Sequence, residues 1–242
     1  MQLFQWFGTF LTQIAENCGG IGPAVCVFTL IAAVFLFLST MGEIRSLQLA
    51  DKIRDLHNGI IQKYGSDSGK MARELIGMHK TFGYHTFLGL LSYLVHGFLI
   101  FLLTAVFSQP DRFLGVFGEG SRSFLWIGDL SSSPLDLIRS GSWIPAFPAA
   151  LLSLAAADIL ITWSMRIILR KSLMPMQAAG KIITAALLLV CFFTPQAVTV
   201  YVILFFACKD LQYFIILRFF PYRFNRQQEQ YYRQCLRNIK RV

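Results

Sequence analysis

Charge is scarce in this chain. Asp, Glu, Lys and Arg make up 14% of its 242 residues, against about 25% in an ordinary soluble domain. The deficit falls in long blocks, and Gly22 to Glu43 contains neither Lys nor Arg. Such blocks exclude a soluble globular fold. Metal-ligand spacing is also missing. Cys18, Cys26, Cys191, Cys208 and Cys235 form no C-x-x-C pair, and His57, His79, His85 and His96 form no H-E-x-x-H pattern. The cysteines sit mostly in or beside apolar runs, where a thiol behaves as a small hydrophobe. No metal and no cofactor is expected. Residues 1–14, MQLFQWFGTFLTQI, lack the basic start and small-residue cleavage site of a secretory signal.

What the chain does have is apolar bulk: 55% hydrophobic residues and a mean hydropathy of +0.55. The runs predict an all-α integral membrane protein with five transmembrane helices. They lie at about Ala24–Met41, Tyr84–Phe107, Pro145–Met165, Ala178–Thr194 and Ala197–Leu217. The first is long enough for a hydrocarbon core of roughly 30 Å at about 1.5 Å per residue. Pro195 and Gln196 leave room only for a tight turn, so spans four and five are antiparallel. Phe4, Phe7, Phe10, Leu11 and Ile14 give residues 1–14 an apolar face, predicting an N-terminal interfacial helix with Trp6 at headgroup level. Gly19, Gly20 and Gly22 loosen the chain before Pro23 opens the next helix. The organisation is then an N-terminal helix and linker over 1–23, a five-span core over 24–217 and a basic tail over 218–242. Residues 108–144 form an extracytosolic segment within the core.

One long polar stretch, residues 43–82, separates spans one and two. Leu49, Ile53, Leu56 and Ile60 share a helix face, Gly65 to Gly69 form a turn cluster, and Met71, Leu75 and Met78 resume the spacing. This predicts an antiparallel helical hairpin. With five spans, this arm, the loop after span three and the tail share one side and hold seven, four and seven Lys/Arg. The opposite side holds Arg112, Arg122 and Arg139 alone. That bias places the N-terminus outside and the arm and C-terminus in the cytosol.

Ionisable and polar groups inside spans are candidates for function. Asp158 is mid-span in SLAAADILITW, beside small residues that also suit helix packing. Lys209 reaches the interface from the cytosolic half of span five, or serves a groove. His96 reads as a satisfied core imidazole or as part of a polar site. Ser92, Tyr93 and Thr162 offer hydroxyls to a groove wall or to their own helices. In the tail, Arg223, Arg226, Arg233, Arg237, Lys240 and Arg241 are interleaved with Tyr222, Tyr231 and Tyr232, which suits a polyanionic partner or an anionic lipid surface.

The order of these pieces resembles the YidC-type membrane protein insertases, relatives of the mitochondrial Oxa and chloroplast Albino proteins. The matching parts are Leu49–Ile53 with Tyr64–Asp67, Phe124–Ser131, Pro175–Gln177 with Lys181, and Pro195–Tyr201, within about residues 15–220. The resemblance implies a five-helix bundle with a polar groove open to cytosol and lipid, through which nascent membrane proteins pass into the bilayer, and no enzymatic chemistry. It implies a bacterial cell membrane location. It also implies contact with the ribosome through the tail, and with a Sec-type translocon, but no DNA. The family's groove arginine on span one is absent here, and the matching position falls near Thr29. The family's Pro–Ile–Phe on span two is replaced by His96, Gly97 and Phe98. Asp158, with Lys209, is the expected replacement anchor. Two other readings remain: a small ion- or proton-coupled transporter subunit using Asp158 and His96, and a degenerate family member acting as a membrane chaperone or scaffold. Against the transporter, the sequence has no internal repeat of the transporter kind.

Overall fold

In a computed structural model the residues described are 1–83, 87–115, 122–125, 127–141 and 189–240; for Leu47, residues 87–93 and residues 239–240 only the backbone is described. The described residues are helical apart from turns, short irregular connections such as 221–225, and one isolated bridge between Phe124 and Ile127. The helices are α1 (Gln2–Cys18), α2 (Ile21–Phe35), α3 (Phe37–Tyr64), α4 (Ser68–Phe82), α5 (Phe87–Phe107), α6 (Pro110–Phe113), α7 (Pro134–Arg139), α8 (Gln196–Phe219) and α9 (Arg226–Lys240). The chain divides into two units, Met1–Phe37 with Tyr93–Phe214, and Leu38–Ser92 with Ile215–Val242.

In the first unit, Phe7, Gly8, Leu11 and Ala15 recur at helical spacing and bury one face of α1. Phe7, Leu11 and Ala15 join Ile21, Val25 and Phe28 of α2, Leu103 and Phe107 of α5, and Val198, Tyr201 and Phe205 of α8 in one apolar cluster. The stripe read as interfacial is thus partly a packing face. A Cβ on Gly8 would lie 2.4 Å from the Phe113 carbonyl oxygen, so only glycine lets α6 approach α1. Gly19 ends α1 in the left-handed conformation at φ 79°. Together α1 and α2 are apolar enough for a span, but they bend by 111° at this break.

The span expected over Ala24–Met41 is carried by two helices: α2 stops at Phe35 and α3 begins at Phe37. Neither glycine nor proline stands at the junction, and nothing in the residues there explains it. α8 agrees closely with the expected fifth span and is the one described helix long and apolar enough to cross a bilayer. On α5 the apolar run Leu94–Phe107 is shorter. The expected third span, with Asp158 and Thr162, and most of the fourth lie outside the described residues.

In the second unit, Leu49, Ile53, Leu56 and Ile60 of α3 are buried with Met78 and Phe82 of α4. All but Phe82 belong to the spacing that led to the expected hairpin; Met71 and Leu75, of the same spacing, are partly buried against this cluster. Asp67 caps α4, its carboxylate accepting from the Lys70 backbone N–H at 3.0 Å. That bond holds the exposed Asp67 carboxyl below its ordinary pKa.

Candidate functional site

The first unit brings buried polar groups onto the helices that build its apolar core. On α8, Tyr201, Phe205, Lys209 and Tyr213 follow one another at intervals of four, which puts them on one face. All four are buried, at 1%, 7%, 7% and 8% exposure. His96 of α5 is 8% exposed, and its Nδ1 lies 2.9 Å from the Tyr201 hydroxyl. The imidazole packs on Phe205 with ring centroids 3.6 Å apart, and Phe28 of α2 lies 6.1 Å from the Tyr201 ring. His96 Nε2 is buried and has no hydrogen-bond partner among the described residues. Leaving such a nitrogen unpaired costs about 1–3 kcal/mol, so it calls for an explanation. Lys209 Nζ lies 5.8 Å from the Tyr213 ring centroid, within cation–π range.

The sequence candidates divide accordingly. His96 and Lys209 face the interior. Thr29 is fully buried, but its hydroxyl donates to the Val25 carbonyl of its own helix at 2.7 Å, the structural use of a threonine in an apolar helix. The side chains of Ser92 and Tyr93 and the whole of Asp158 and Thr162 lie outside the described residues. Tyr201 was not among the candidates. The four-residue repeat along α8 was the available signal, obscured because an apolar span buries aromatic residues on any face.

At the end of this unit away from Lys209, two motifs quoted separately from the sequence meet. The backbone N–H groups of Gln196 and Ala197, orphaned at the start of α8, donate to the carbonyls of Ser132 and Leu130 at 3.0 Å each. The turn supplying those carbonyls is held by Asp129, which accepts from the Ser131 backbone at 2.9 Å and from its hydroxyl at 2.6 Å. Ser133 and Asp136 form a reciprocal cap on α7. Phe124 covers α2 so closely that a Cβ on Gly22 would lie 2.3 Å from its ring.

The second unit holds the tail. Tyr222, Phe224, Tyr231, Tyr232 and Cys235 pack against the α3–α4 cluster. Phe82 meets Phe224 and Tyr231 with ring centroids 5.2 and 5.8 Å apart. Arg223, Arg226, Arg233 and Arg237 are exposed; the Lys240 side chain and Arg241 lie outside the described residues. Burial pushes the Tyr231 phenol up to about 12. The tyrosines interleaved with tail arginines are therefore packing residues.

A family model described as 60Kd inner membrane protein matches residues 13–223. No curated protein matches the chain. The matched range takes in α2 to α5, α8 and both meeting motifs, and ends just before α9.

Proposed function

Because the chain belongs to the 60Kd inner membrane protein family, the YidC-type membrane protein insertases, we propose that it passes nascent hydrophobic segments into the bilayer through a site centred on His96, Tyr201 and Lys209. Moving a charged group into hydrocarbon costs roughly 2.5–3.5 kcal/mol on insertion scales, and an unpaired polar group is also penalised. A client's polar stretch meets that barrier while its apolar part seeks lipid.

The observation that carries the reading is the unpartnered His96 Nε2. In the tautomer in which the Tyr201 phenol donates to Nδ1, the ring proton sits on Nε2 and offers a donor inside the apolar core. An entering carbonyl or carboxylate then exchanges a bond to water for one to imidazole instead of losing it outright. Lys209, two turns along α8, gives the same path a cationic end. These groups stand in for the arginine that the family carries on span one and this chain lacks. Phe28 and Phe205 pack against Tyr201 and His96, so client entry displaces these rings. Asp158 and Thr162 of the third span are further candidates for the same wall.

The remaining features follow as parts of this proposal: five spans, N-terminus outside, and residues 43–82 as a cytosolic antiparallel hairpin. Clients are nascent membrane proteins, with ribosome and Sec-type translocon as assembly partners. The test is insertion of a single-span client in insertase-depleted cells supplied with this chain or with its His96→Leu or Lys209→Leu variant at equal levels. Restored insertion, lowered severalfold by either change, supports the reading. Restoration untouched by both removes the site, and no restoration favours a scaffold role, for which the absent arginine argues.

A further inference from the structure

The tail is docked, and its docking decides what it can bind. Lys52 of α3 donates to the Tyr222 carbonyl at 2.7 Å and lies 5.8 and 5.2 Å from the Tyr222 and Phe224 ring centroids. Gln48 accepts from the Tyr222 backbone N–H at 2.7 Å. Gln228 of α9 donates to the Phe82 carbonyl at 3.4 Å. Asn225 and Gln228 cap the start of α9 reciprocally, at 2.8 and 3.1 Å. At the other end Lys63 donates to the Asn238 carbonyl at 3.0 Å, a cation placed where the helix dipole favours one. Arg223, Arg226, Arg233 and Arg237 stay exposed, and Arg233 is steadied by Glu229 at 2.5 Å.

We propose that the docked tail forms a pre-ordered arginine face that takes the headgroup phosphates of an anionic bilayer leaflet. Charge is the first argument. The sequence of this unit, Leu38–Ser92 with Ile215–Val242, holds 14 Lys/Arg against six acidic residues, so it carries most of the chain's net +9. The occupied aromatics are the second. Tyr222, Phe224, Tyr231 and Tyr232 pack on the arm and on one another. Half-buried in this packing, they present little ring face for stacking on nucleic-acid bases, and the exposed arginines favour phosphate as their ligand. The neck is the third. Phe219 and Phe220, 67% and 49% exposed, lie between Arg218 and Arg223 at the end of the bilayer-length helix α8. Residues 221–225 reach at most about 18 Å when extended, which keeps α9 near the lipid surface. A basic residue close to an anionic surface shifts partition about fivefold.

The test uses the full chain in nanodiscs of zwitterionic lipid and of zwitterionic lipid with one-third phosphatidylglycerol. Chymotrypsin cleaves after Tyr231 and Tyr232 when the tail opens. Cleavage at least fivefold slower in the anionic discs, with the difference lost on Arg223→Gln/Arg226→Gln/Arg233→Gln/Arg237→Gln, supports the proposal. Equal rates for the unaltered chain overturn it. Slowing by added ribosomes and not by anionic lipid also overturns it, assigning the face to RNA phosphate. If the fourfold variant is cut fast even in zwitterionic discs, docking is lost, and the single changes Arg226→Gln and Arg237→Gln carry the comparison. A lipid difference undiminished in both then counts against the arginine face.

Discussion

Removing the Tyr201 hydroxyl strips His96 of its one hydrogen bond to a described residue and leaves both imidazole nitrogens without a partner among the described residues. Hydrogen bonds between helices in membranes average about 0.6 kcal/mol and reach about 1.7, while an orphaned buried polar group adds roughly 1–3 kcal/mol. Tyr201→Phe should therefore cost about 1–3 kcal/mol. His96→Phe should cost a similar amount through the orphaned phenol, with added strain from the ring so close to Phe205. The double variant removes both needs at once and should be more stable than the sum of the single losses by about 1–2 kcal/mol. Reversible unfolding in bicelles, run as a double-mutant cycle, gives the coupling directly. Coupling below about 0.4 kcal/mol, within ordinary additivity, would refute a bond between α5 and α8. In client insertion His96→Phe should exceed Tyr201→Phe in severity, because only the first removes the open Nε2 donor.

Gly22→Ala drives a methyl to 2.3 Å from the Phe124 ring; overpacking of this kind costs about 1–3 kcal/mol, and thermal unfolding in detergent should register it, whereas Gly97→Ala meets nothing within 4 Å among the described residues and should cost less. Phe82→Ala empties the place where arm and tail meet, and should destabilise the second unit by about 3–5 kcal/mol, read as faster proteolysis of residues 222–240 with the first unit unchanged. The His79 imidazole is held below its usual range by burial and by the nearby His57, whose ring stacks at 6.4 Å. Its neutral form is thus the one the fold favours, so the stability it confers is complete above the unfolded value near 6.5 and declines as pH drops toward the lowered folded value. Protection of the α3 and α4 amides, taken relative to the intrinsic exchange rate at each pH, should fall as the pH drops below about 6.5, and His79→Phe should flatten that dependence; a slope unchanged in the variant contradicts the assignment.

Much of the second unit was legible because its residues obey a helix period on a polar background. Leu49, Ile53, Leu56 and Ile60 stand out among charges, and Asp67 marks where α4 begins. α8 was legible from length and apolarity alone. Less legible was anything specified by contact between distant residues. The Gln196 and Ala197 N–H groups find partners 64 and 67 positions earlier, which no local pattern encodes. The tail's arginines, which dominate its composition, point to a polyanionic partner or a lipid surface, while its tyrosines follow a packing face that Phe82 and Lys52 help to complete. His96 had two readings open, and its partner Tyr201 was hidden among aromatics. Thr29 came from alignment with a family pattern, and its hydroxyl is committed to its own helix. Three features legible as sequence, Phe124–Ser131, Pro195–Tyr201 and Gly22, converge on the end of the first unit away from Lys209, so their order along the chain reflects one packed substructure.

The central claim is that clients travel along the face of α8 that carries Tyr201, Phe205 and Lys209. A photo-reactive phenylalanine analogue at position 205, compared with one at Leu211, which is 61% exposed, measures this in proteoliposomes holding a stalled single-span client. The account predicts a client adduct from position 205 and lipid adducts from position 211; client adducts from position 211 with none from position 205 would contradict it.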